Sequence, residues 1–401
     1  MSPMPTRRSF LAATAGVAGI TGVAGCLGDS GDAGGANART RGSGAATETD
    51  ATGAADGGST GPATGSRVET TTDSSESYST DTSVLPTRDD ALPVEWSFAR
   101  LRERTQNGGP PKDGIPSIDD PSFWSVAAAD EFLEDDDAVF GVAGAEDVKA
   151  YPQPILVWHE IANDTIDGEP VTVSYCPLTG TAMGFLRGET TFGVSGRLVN
   201  SNLVMYDRET DSRWPQMLAT AMSGPFERQS LDEFPVTWTT WRAWKEAYPE
   251  TVVLSDETGY VRNYSRDPYG NYGPRLAYYD PENTNTLFPP LSQDDRYPKK
   301  AVVIGARPPE GAIAFRKVSL REQGVLTDEV GGATFHAVYD PALDTAHVYR
   351  GDGTDLTYED GRLAVDGETV APDALPLERV LDFDAMWFAW AGFYPGPAVV
   401  G

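Results

Sequence analysis

Alternating apolar and polar positions mark several strands along the chain. In residues 171–176 apolar side chains alternate with polar ones, the two-residue period of a strand with one buried face. Residues 334–339 repeat this pattern, and residues 302–304 form a short β-branched run. Asp167-Gly168 and Gly331-Gly332 stand just before the two alternating segments and are typical of tight hairpin turns. The sequence therefore predicts β-hairpins in two separate regions.

Three other segments have the apolar spacing of helices, namely residues 121–135, 237–248 and 384–394. The last two are rich in aromatic residues, and each ends at a Tyr-Pro pair, where a helix usually stops. We therefore predict an α+β fold in which strands dominate.

The chain also resembles itself. An offset of 164 residues pairs Gly141 with Gly305 and Tyr175 with Tyr339 in one unbroken register, and an offset of 146 pairs the two aromatic segments. The first copy therefore has extra chain between about Arg187 and Val236. We predict an internal duplication that gives two tandem pseudo-repeat lobes after a disordered linker. The alternative is coincidental similarity between two β-rich stretches.

The N-terminus has the features of an export signal. Arg7-Arg8 form a twin-arginine signature, and the apolar run 11–24 is shorter than the about 20 residues that span a bilayer. Small residues then precede Cys26, as in the lipobox of exported lipoproteins. We predict a signal peptide over residues 1–25, with Cys26 lipidated on the outer face of the cytoplasmic membrane. The alternative is an uncleaved membrane anchor.

The remaining chain divides by composition. Residues 26–93 are rich in Gly, Ala, Ser, Thr and Asp, a composition that cannot bury enough apolar surface to fold, so we predict a disordered tether. We assign residues 94–260 to the first lobe, which carries the candidate site, 261–300 to an inter-lobe loop, and 301–401 to a shortened second lobe.

The net charge of the chain limits which partners the protein can have. The chain has 60 Asp and Glu against 31 Lys and Arg, a formal net charge of −29, which argues against nucleic acid as a partner. Self-repulsion of this size is screened in molar salt, where the Debye length falls to about 3 Å. With the export signal, we expect a haloarchaeal lipoprotein whose partners include the membrane, through the lipid on Cys26.

Cysteine and histidine are scarce, which limits the possible chemistry. Once Cys26 is lipidated, Cys176 is the only thiol and no intrachain disulfide can form. At the 164-residue offset Cys176 faces Asp340 and His159 faces Gln323, so the second copy lacks both groups. Either residue has a structural alternative, because free cysteines are often buried and a histidine can be part of the core.

Three functional hypotheses follow, and whether the protein is an enzyme stays open. In the first, Cys176 is a catalytic nucleophile, His159 is its base and Arg208 anchors a substrate. In the second, Cys176, His159 and Met183 hold copper or another soft metal. In the third, the protein is a surface scaffold without chemistry, and Cys176 is buried.

Polar side chains are also dense in the extra segment of the first copy. They can hydrogen-bond a small polar ligand, and an arginine can grip a carboxylate or phosphate. The alternative is an elaborate hairpin in which such side chains satisfy turn amides. The candidate ligand-binding residues are Asp164, Asn202, Asp207, Arg208, Ser212, Trp214 and Gln216.

Several blocks of this sequence resemble a known family, the domain of unknown function 3179. The blocks are Tyr151-Pro152, His159-Glu160, Asn163-Asp164, Tyr175-Cys176-Pro177-Leu178, 192–196, 203–208, Ser212-x-Trp214-x-Gln216 and Tyr264-x4-Tyr269-x2-Tyr272. The resemblance covers most of the chain from about residue 95. It implies an exported or lipid-anchored protein and no established reaction. Relatives often read Cys-Pro-Leu-Cys, whereas Thr179 stands at the fourth position here, which argues against a two-cysteine site.

Overall fold

A computed structural model of the chain describes residues 78–351, 353–354, 356–359, 362–370 and 372–401. The predicted signal peptide, Cys26 and residues 26–77 of the predicted tether lie outside the described residues. Within them the fold is β-rich with few and short helices. No helix in this part of the chain has the length and apolar character needed to cross a membrane.

The first half, residues 94–260, contains three sheets, with strand orders β12-β3-β4-β13-β2, β11-β7-β6-β5 and β1-β8-β9-β10. Its elements in chain order are α1 (Phe98–Glu103), β1 (Gln106–Asn107), β2 (Phe123–Trp124), α2 (Val126–Ala129), β3 (Ala138–Ala143), β4 (Val148–Pro152), α3 (Gln153–Leu156), β5 (Ile161–Ile166), β6 (Glu169–Cys176), β7 (Thr181–Leu186), β8 (Phe192–Val199), β9 (Asn202–Asp207), β10 (Arg213–Pro215), a 3₁₀ turn (Gln216–Leu218), β11 (Glu233–Phe234), β12 (Thr237–Thr240), α4 (Trp241–Ala247) and β13 (Val252–Leu254).

The connecting segment, residues 261–300, and the second half, residues 301–401, follow. A short ribbon β14-β15 lies in the connecting segment, and the second half contains sheets β25-β16-β17-β26, β18-β19-β20-β24 and β21-β22-β23. The elements are β14 (Gly270–Asn271), β15 (Leu276–Ala277), β16 (Val302–Ala306), β17 (Ile313–Arg316), α5 (Lys317–Gln323), β18 (Val325–Val330), β19 (Ala333–Asp340), β20 (Thr345–Arg350), β21 (Leu356–Glu359), β22 (Arg362–Val365), β23 (Glu368–Val370), a 3₁₀ turn (Pro372–Ala374), β24 (Glu378–Val380), β25 (Asp382–Met386), α6 (Trp387–Phe393) and β26 (Ala398–Val400).

The two halves share strand order and register. Phe140 of β3 lies opposite Tyr151 of β4, and Ile304 of β16 lies opposite Phe315 of β17. The strand after the last helix then pairs in parallel in both cases, β13 with β4 and β26 with β17. These partners are related by the offsets of 164 and 146 residues seen in the sequence.

A close approach of tryptophan to glycine recurs at the centre of each half. A Cβ atom on Gly141 would overlap the Trp244 ring, and one on Gly305 would overlap the Trp390 ring. Only glycine leaves room for the indole to lie flat against the strand. Helices α4 and α6 are therefore held on β3 and β16 by the same contact.

The halves differ in the chain that follows their shared hairpins. Between β7 and β11 the first half forms strands β8 to β10, whose sheet also takes in β1. Between β20 and β24 the described residues of the second half form the small sheet β21-β22-β23 and a 3₁₀ turn. The longer insertion brings the candidate residues from Asn202 to Gln216 into the first half alone.

The halves pack against each other in reciprocal fashion. Strand β7 contacts β25, and β12 contacts β20. The Met386 N–H donates to the Thr179 carbonyl at 2.8 Å, and the Thr239 hydroxyl donates to the Leu343 carbonyl, the equivalent of Thr179. One apolar cluster draws residues from both halves, and residues 78–401 belong to one compact unit.

The structure corrects the helix predicted over residues 121–135. Phe123–Trp124 is instead strand β2, because it pairs with Val253 and Leu254 at the sheet edge. Ser125 then caps the single turn α2, which ends at Ala129. Similarly, residues 237–240 are strand β12, and α4 begins only after the Thr240 cap.

The predicted strands and turns are confirmed. Residues 171–176 lie in β6, 334–339 in β19 and 302–304 in β16. Both central residues of each turn have positive φ, as a two-residue type I′ hairpin turn requires, namely Asp167 and Gly168 in the first half and Gly331 and Gly332 in the second.

The folded part extends upstream of residue 94. Leu85 is buried, the Arg88 N–H donates to the Ser230 carbonyl at 2.8 Å, and the Glu189 N–H donates to the Val84 carbonyl at 3.3 Å. Residues 78–93, which the sequence assigns to the tether, thus contact the first half.

Candidate functional site

Cys176 lies at the end of β6 with its thiol buried against the first-half core. Its Sγ accepts the Leu203 N–H at 3.4 Å and lies 3.8 Å from the Ser201 carbonyl oxygen. Burial, and then the charge of Glu160, raise the pKa of the Cys176 thiol to about 11. The thiol is therefore protonated at neutral pH, in the state that reacts poorly.

His159 follows α3 and is fully buried, with both ring nitrogens engaged. Nδ1 lies 2.8 Å from the Pro116 carbonyl oxygen and Nε2 lies 2.7 Å from the Tyr264 hydroxyl. The carbonyl can only accept, so Nδ1 carries the proton and Nε2 accepts from Tyr264. Burial lowers the pKa of His159, which favours this neutral form.

The structure gives Cys176 and His159 separate hydrogen-bond partners. No hydrogen bond among the described residues joins them, and the imidazole has no free nitrogen to take a proton from the thiol. Their pairing as nucleophile and base stays a prediction that needs a rearrangement of His159 or Tyr264.

Met183 lies on β7 opposite Ser174, while Cys176 lies opposite Thr181. Both sulfur side chains belong to the same buried apolar cluster, whereas the nitrogens of His159 bind Pro116 and Tyr264. Within the part of the chain that the structure describes, no group of three or more His, Cys, Asp and Glu side chains is placed to hold a metal ion. The soft-metal hypothesis stays a prediction.

Asn202 and Gln216 come together in a buried polar network. The Asn202 amide donates to the Gln216 Oε1 at 2.9 Å and to the Thr179 hydroxyl at 3.1 Å. Gln216 donates to the carbonyls of Ser174 and Thr181, each at 3.1 Å, so it links β6 and β7 to β9. Their amide donors are thus used within the protein, and the network fixes one sheet against another.

The turn between β9 and β10 is held by the side chains of Asp207, Ser212 and Trp214. The Asp207 carboxylate accepts the Thr210 N–H at 2.6 Å and the Trp214 indole N–H at 3.0 Å. Ser212 accepts the Phe226 N–H at 3.2 Å. This arrangement matches the hairpin alternative, in which the polar side chains satisfy the turn.

The other two charged candidates, Asp164 and Arg208, are also already paired. Asp164 accepts from Lys149 at 3.0 Å and from the Tyr151 hydroxyl at 2.6 Å. The Arg208 guanidinium binds the carboxylates of Asp113 and Asp119, each at 3.2 Å. Arg208 would have to exchange these carboxylates for a ligand.

Glu160 is a functional candidate that the sequence patterns did not single out. Its side chain is 7% exposed, and its carboxyl forms no hydrogen bond within the described residues. Burial raises the pKa of Glu160 to about 8, so it holds a proton at neutral pH. The sequence offset could have indicated this residue, because the position 164 residues later is Gly324.

A cleft opens between the two halves of the protein. The cleft has a volume of about 450 Å³, within the range of small-molecule sites. It is lined by three pairs of positions that the sequence offsets make equivalent, Ala138 and Val302, Gly180 and Asp344, and Trp238 and Asp384.

The first-half side of this cleft has the Trp238 ring, small and hydroxyl side chains and the exposed Asp136, whereas the second-half side has a cluster of charged side chains. Lys317 binds Asp384 at 2.7 Å, and Arg321 binds the Asp344 carboxylate through two nitrogens, at 2.6 and 2.7 Å. Arg316 also lines the cleft from this side. The connecting segment adds Arg275, which lies over the Tyr272 ring at 5.5 Å.

Comparison with known protein families identifies a family whose model the chain matches. A family model described as "Protein of unknown function (DUF3179)" matches residues 112–397, well over half of the sequence. The chain belongs to this family. The matched region includes Cys176, His159 and every residue of the cleft named above. No curated protein and no solved structure matches the chain.

Proposed function

We propose that this protein is a cell-surface, lipid-anchored binding protein whose small-molecule site is the cleft between its two halves. Residues 1–25 direct export by the twin-arginine route, and the lipid on Cys26 holds the protein at the outer face of the cytoplasmic membrane. The twin-arginine pair and the small residues before Cys26 support this localisation. The acidic composition supports a haloarchaeal source.

The halves are, in this proposal, two tandem pseudo-repeat lobes that arose by internal duplication. The support is the shared strand register at constant offsets and the recurring glycine and tryptophan contact. Coincidental similarity would not be expected to reproduce the parallel pairing of β13 and of β26 as well.

The observation that carries the binding function is the composition of the cleft. Equivalent positions of both halves face it, yet the second half supplies most of its charged side chains and the first half supplies Trp238 and one exposed acid, Asp136. Clefts at the junction of two packed units are common ligand sites, with an apolar lining and a few convergent polar groups. By contrast, the polar side chains around Asn202 and Asp207 are saturated by internal hydrogen bonds.

The proposal is tested by thermal unfolding of the full-length chain in molar KCl with a panel of small carboxylates, phosphates, amines, sugars and neutral amides. Val318→Trp fills the cleft mouth, since Val318 lines the cleft and is 41% exposed. Val252→Trp is the matched control, because Val252 is 37% exposed and lies outside the cleft.

We expect at least one compound to raise the unfolding temperature of the parent chain and of Val252→Trp, and to lose this effect in Val318→Trp. A panel with no stabilising compound, or stabilisation that persists in Val318→Trp, contradicts a binding cleft.

A further inference from the structure

Two arginines of the cleft have donor groups without acceptors. The Nε atoms of Arg275 and Arg316 are buried and form no hydrogen bond within the described residues. Arg275 uses one terminal nitrogen, on the Lys300 carbonyl at 3.2 Å. Arg316 lies over the Tyr297 ring at 5.3 Å and donates no side-chain hydrogen bond in this part of the chain. A buried charged donor without an acceptor is costly, so such a pair of groups calls for an explanation.

The acids of the cleft do not neutralise these two arginines. Asp384 is bound by Lys317, and Asp344 is bound by Arg321 and by the Tyr339 hydroxyl. Asp136 and Glu282 also line the cleft, but both are exposed and neither forms an ion pair within the described residues. Arg275 and Arg316 are thus half-buried and without an ion-pair partner within the described residues, while Asp136 and Glu282 are exposed.

The overall composition makes the lack of a carboxylate partner for Arg275 and Arg316 more informative. The chain has about two acids for each base, so an internal partner for an arginine is easily supplied, as Arg307 and Arg321 show. The Lys300 amine nearby is also buried and has no hydrogen-bond partner in the described residues, and it lies over the Tyr278 ring at 2.9 Å. Burial, and then the charges of Arg275 and Lys299, lower the pKa of Lys300 to about 7. The cleft lining has four basic and four acidic side chains, and two of the basic ones, Arg275 and Arg316, form no ion pair within the described residues.

An aromatic surface lines the same cleft. The rings of Trp238 and Tyr272 have centroids 5.1 Å apart, and Tyr272 packs in turn on Tyr279 at 4.3 Å. Such rings offer a flat apolar contact to an unsaturated or cyclic ligand. The cleft therefore combines an apolar surface with free guanidinium edges, which match carboxylate and phosphate oxygens geometrically.

We propose that the cleft binds an organic anion, with its carboxylate or phosphate held by Arg275 and Arg316 and its flat apolar body against Trp238 and Tyr272. This inference rests on the proposed binding function and names its ligand class. Buried ion pairs are screened by salt much less than exposed ones, so a site of this kind can work in the molar salt that the composition implies.

The experiment titrates benzoate and phenyl phosphate into the full-length chain in molar KCl, with benzamide as the neutral counterpart, and measures affinity by calorimetry. We expect both anions to bind at least about tenfold more tightly than benzamide, because a charged hydrogen bond contributes that much or more. Arg316→Gln and Arg275→Gln should each weaken anion binding by about tenfold or more. Arg316→Lys keeps the charge and loses the fork, so its loss should be intermediate.

Arg242→Gln is the matched control, since it removes one positive charge from the exposed face of α4, away from the cleft, and should leave affinity unchanged. Removing an unpaired cation should not unfold the protein, and the unfolding temperature of each variant checks this. Benzamide binding as tightly as benzoate, or equal affinity in folded Arg→Gln variants, overturns the anion site. Failure of both anions while a neutral or cationic compound still gives Val318-sensitive binding overturns the anion inference and leaves the binding cleft standing.

Discussion

The two halves of this protein have the same backbone plan and different side chains on the cleft they enclose. At equivalent positions Trp238 stands where the second half has Asp384, and Gly180 stands where it has Asp344. The positions that hold helix to strand, by contrast, are glycine and tryptophan in both. The residues of the packing contact are thus the same in both halves, while the residues that face the cleft differ.

The same contrast separates the two polar regions of the first half. Asn202, Gln216 and Asp207 are buried with every contact made inside the protein, whereas Arg275 and Arg316 keep unused donors. The density of polar residues in the sequence therefore reflects internal hydrogen bonds here. The proposed ligand site rests instead on the unused hydrogen-bonding capacity at the cleft.

The largest expected effect concerns the contact shared by the halves. Trp244→Ala and Trp390→Ala should each lower the free energy of unfolding by about 3–5 kcal/mol, because each removes a fully buried indole. The measurement is urea unfolding at constant molar KCl. A cost below about 1 kcal/mol for either variant, well under the range for a buried tryptophan, would show that the two contacts are not equivalent.

A finer comparison uses phenylalanine at the same two positions. The Trp244 indole N–H donates to Thr251 at 3.0 Å, whereas the Trp390 N–H has no partner among the described residues, because Pro397 stands at the position equivalent to Thr251. Trp244→Phe should therefore cost more than Trp390→Phe. The reverse order would contradict this difference.

The next effect tests the contact between the halves. Arg307 of the second half and Glu233 of the first form an ion pair whose side chains are 2% and 1% exposed. Arg307→Met leaves a buried carboxylate unpaired and should cost about 3 kcal/mol or more, while Arg307→Met with Glu233→Leu should recover much of that loss.

The control for this pair is Arg100→Met, which breaks an exposed pair with Glu103 and should cost less than about 1 kcal/mol. Urea unfolding serves for all three variants. Equal losses for Arg307→Met and the double variant would mean that the ion pair itself, rather than the stranded charge, carries the energy.

The last effect is a pH dependence of stability that concerns Glu160, whose equivalent position in the second half is Gly324. Its pKa is about 8 in the folded chain and near the ordinary 4.5 in the unfolded chain, so the folded state binds the extra proton between these values. Its contribution to stability is fully present below pH 4.5 and is lost as pH rises to about 8, by at most about 1.4 kcal/mol per pH unit. Glu160→Gln should remove this slope.

Unfolding of the parent chain and of Glu160→Gln at pH 5, 6.5 and 8 in the same salt measures the difference. The variant should gain stability relative to the parent as pH rises. Parallel stability profiles would show that Glu160 is ionised in the folded protein.

Much of the fold could be predicted from the sequence because it depends on local patterns. Alternation in residues 171–176 predicts β6, and the Gly331-Gly332 turn predicts the hairpin of β18 and β19, since both effects act within a few residues. The helix predicted over 121–135 fails because Phe123 and Trp124 pair with residues about 130 positions away. Helical spacing carries no information about such a partner.

The candidate site was harder to predict for the same reason. The cleft brings together Trp238, Arg275 and Arg316 from three separate segments, and no spacing rule connects them. The sequence did raise the hairpin explanation for Asp207 and Ser212, which the hydrogen bonds match. It could not show that the guanidinium of Arg208 already binds Asp113 and Asp119, because those contacts depend on tertiary structure.

The apolar cluster that draws on both halves bears on how the chain reaches its native state. Met217 and Leu218 of the first half share this cluster with Trp387 and Phe393 of the last helix. A nascent or truncated chain that ends at residue 300 would leave the first group facing water, and such surface favours aggregation. The shared cluster therefore couples the stability of each half to the presence of the other, and we expect neither half to be stable when it is produced alone.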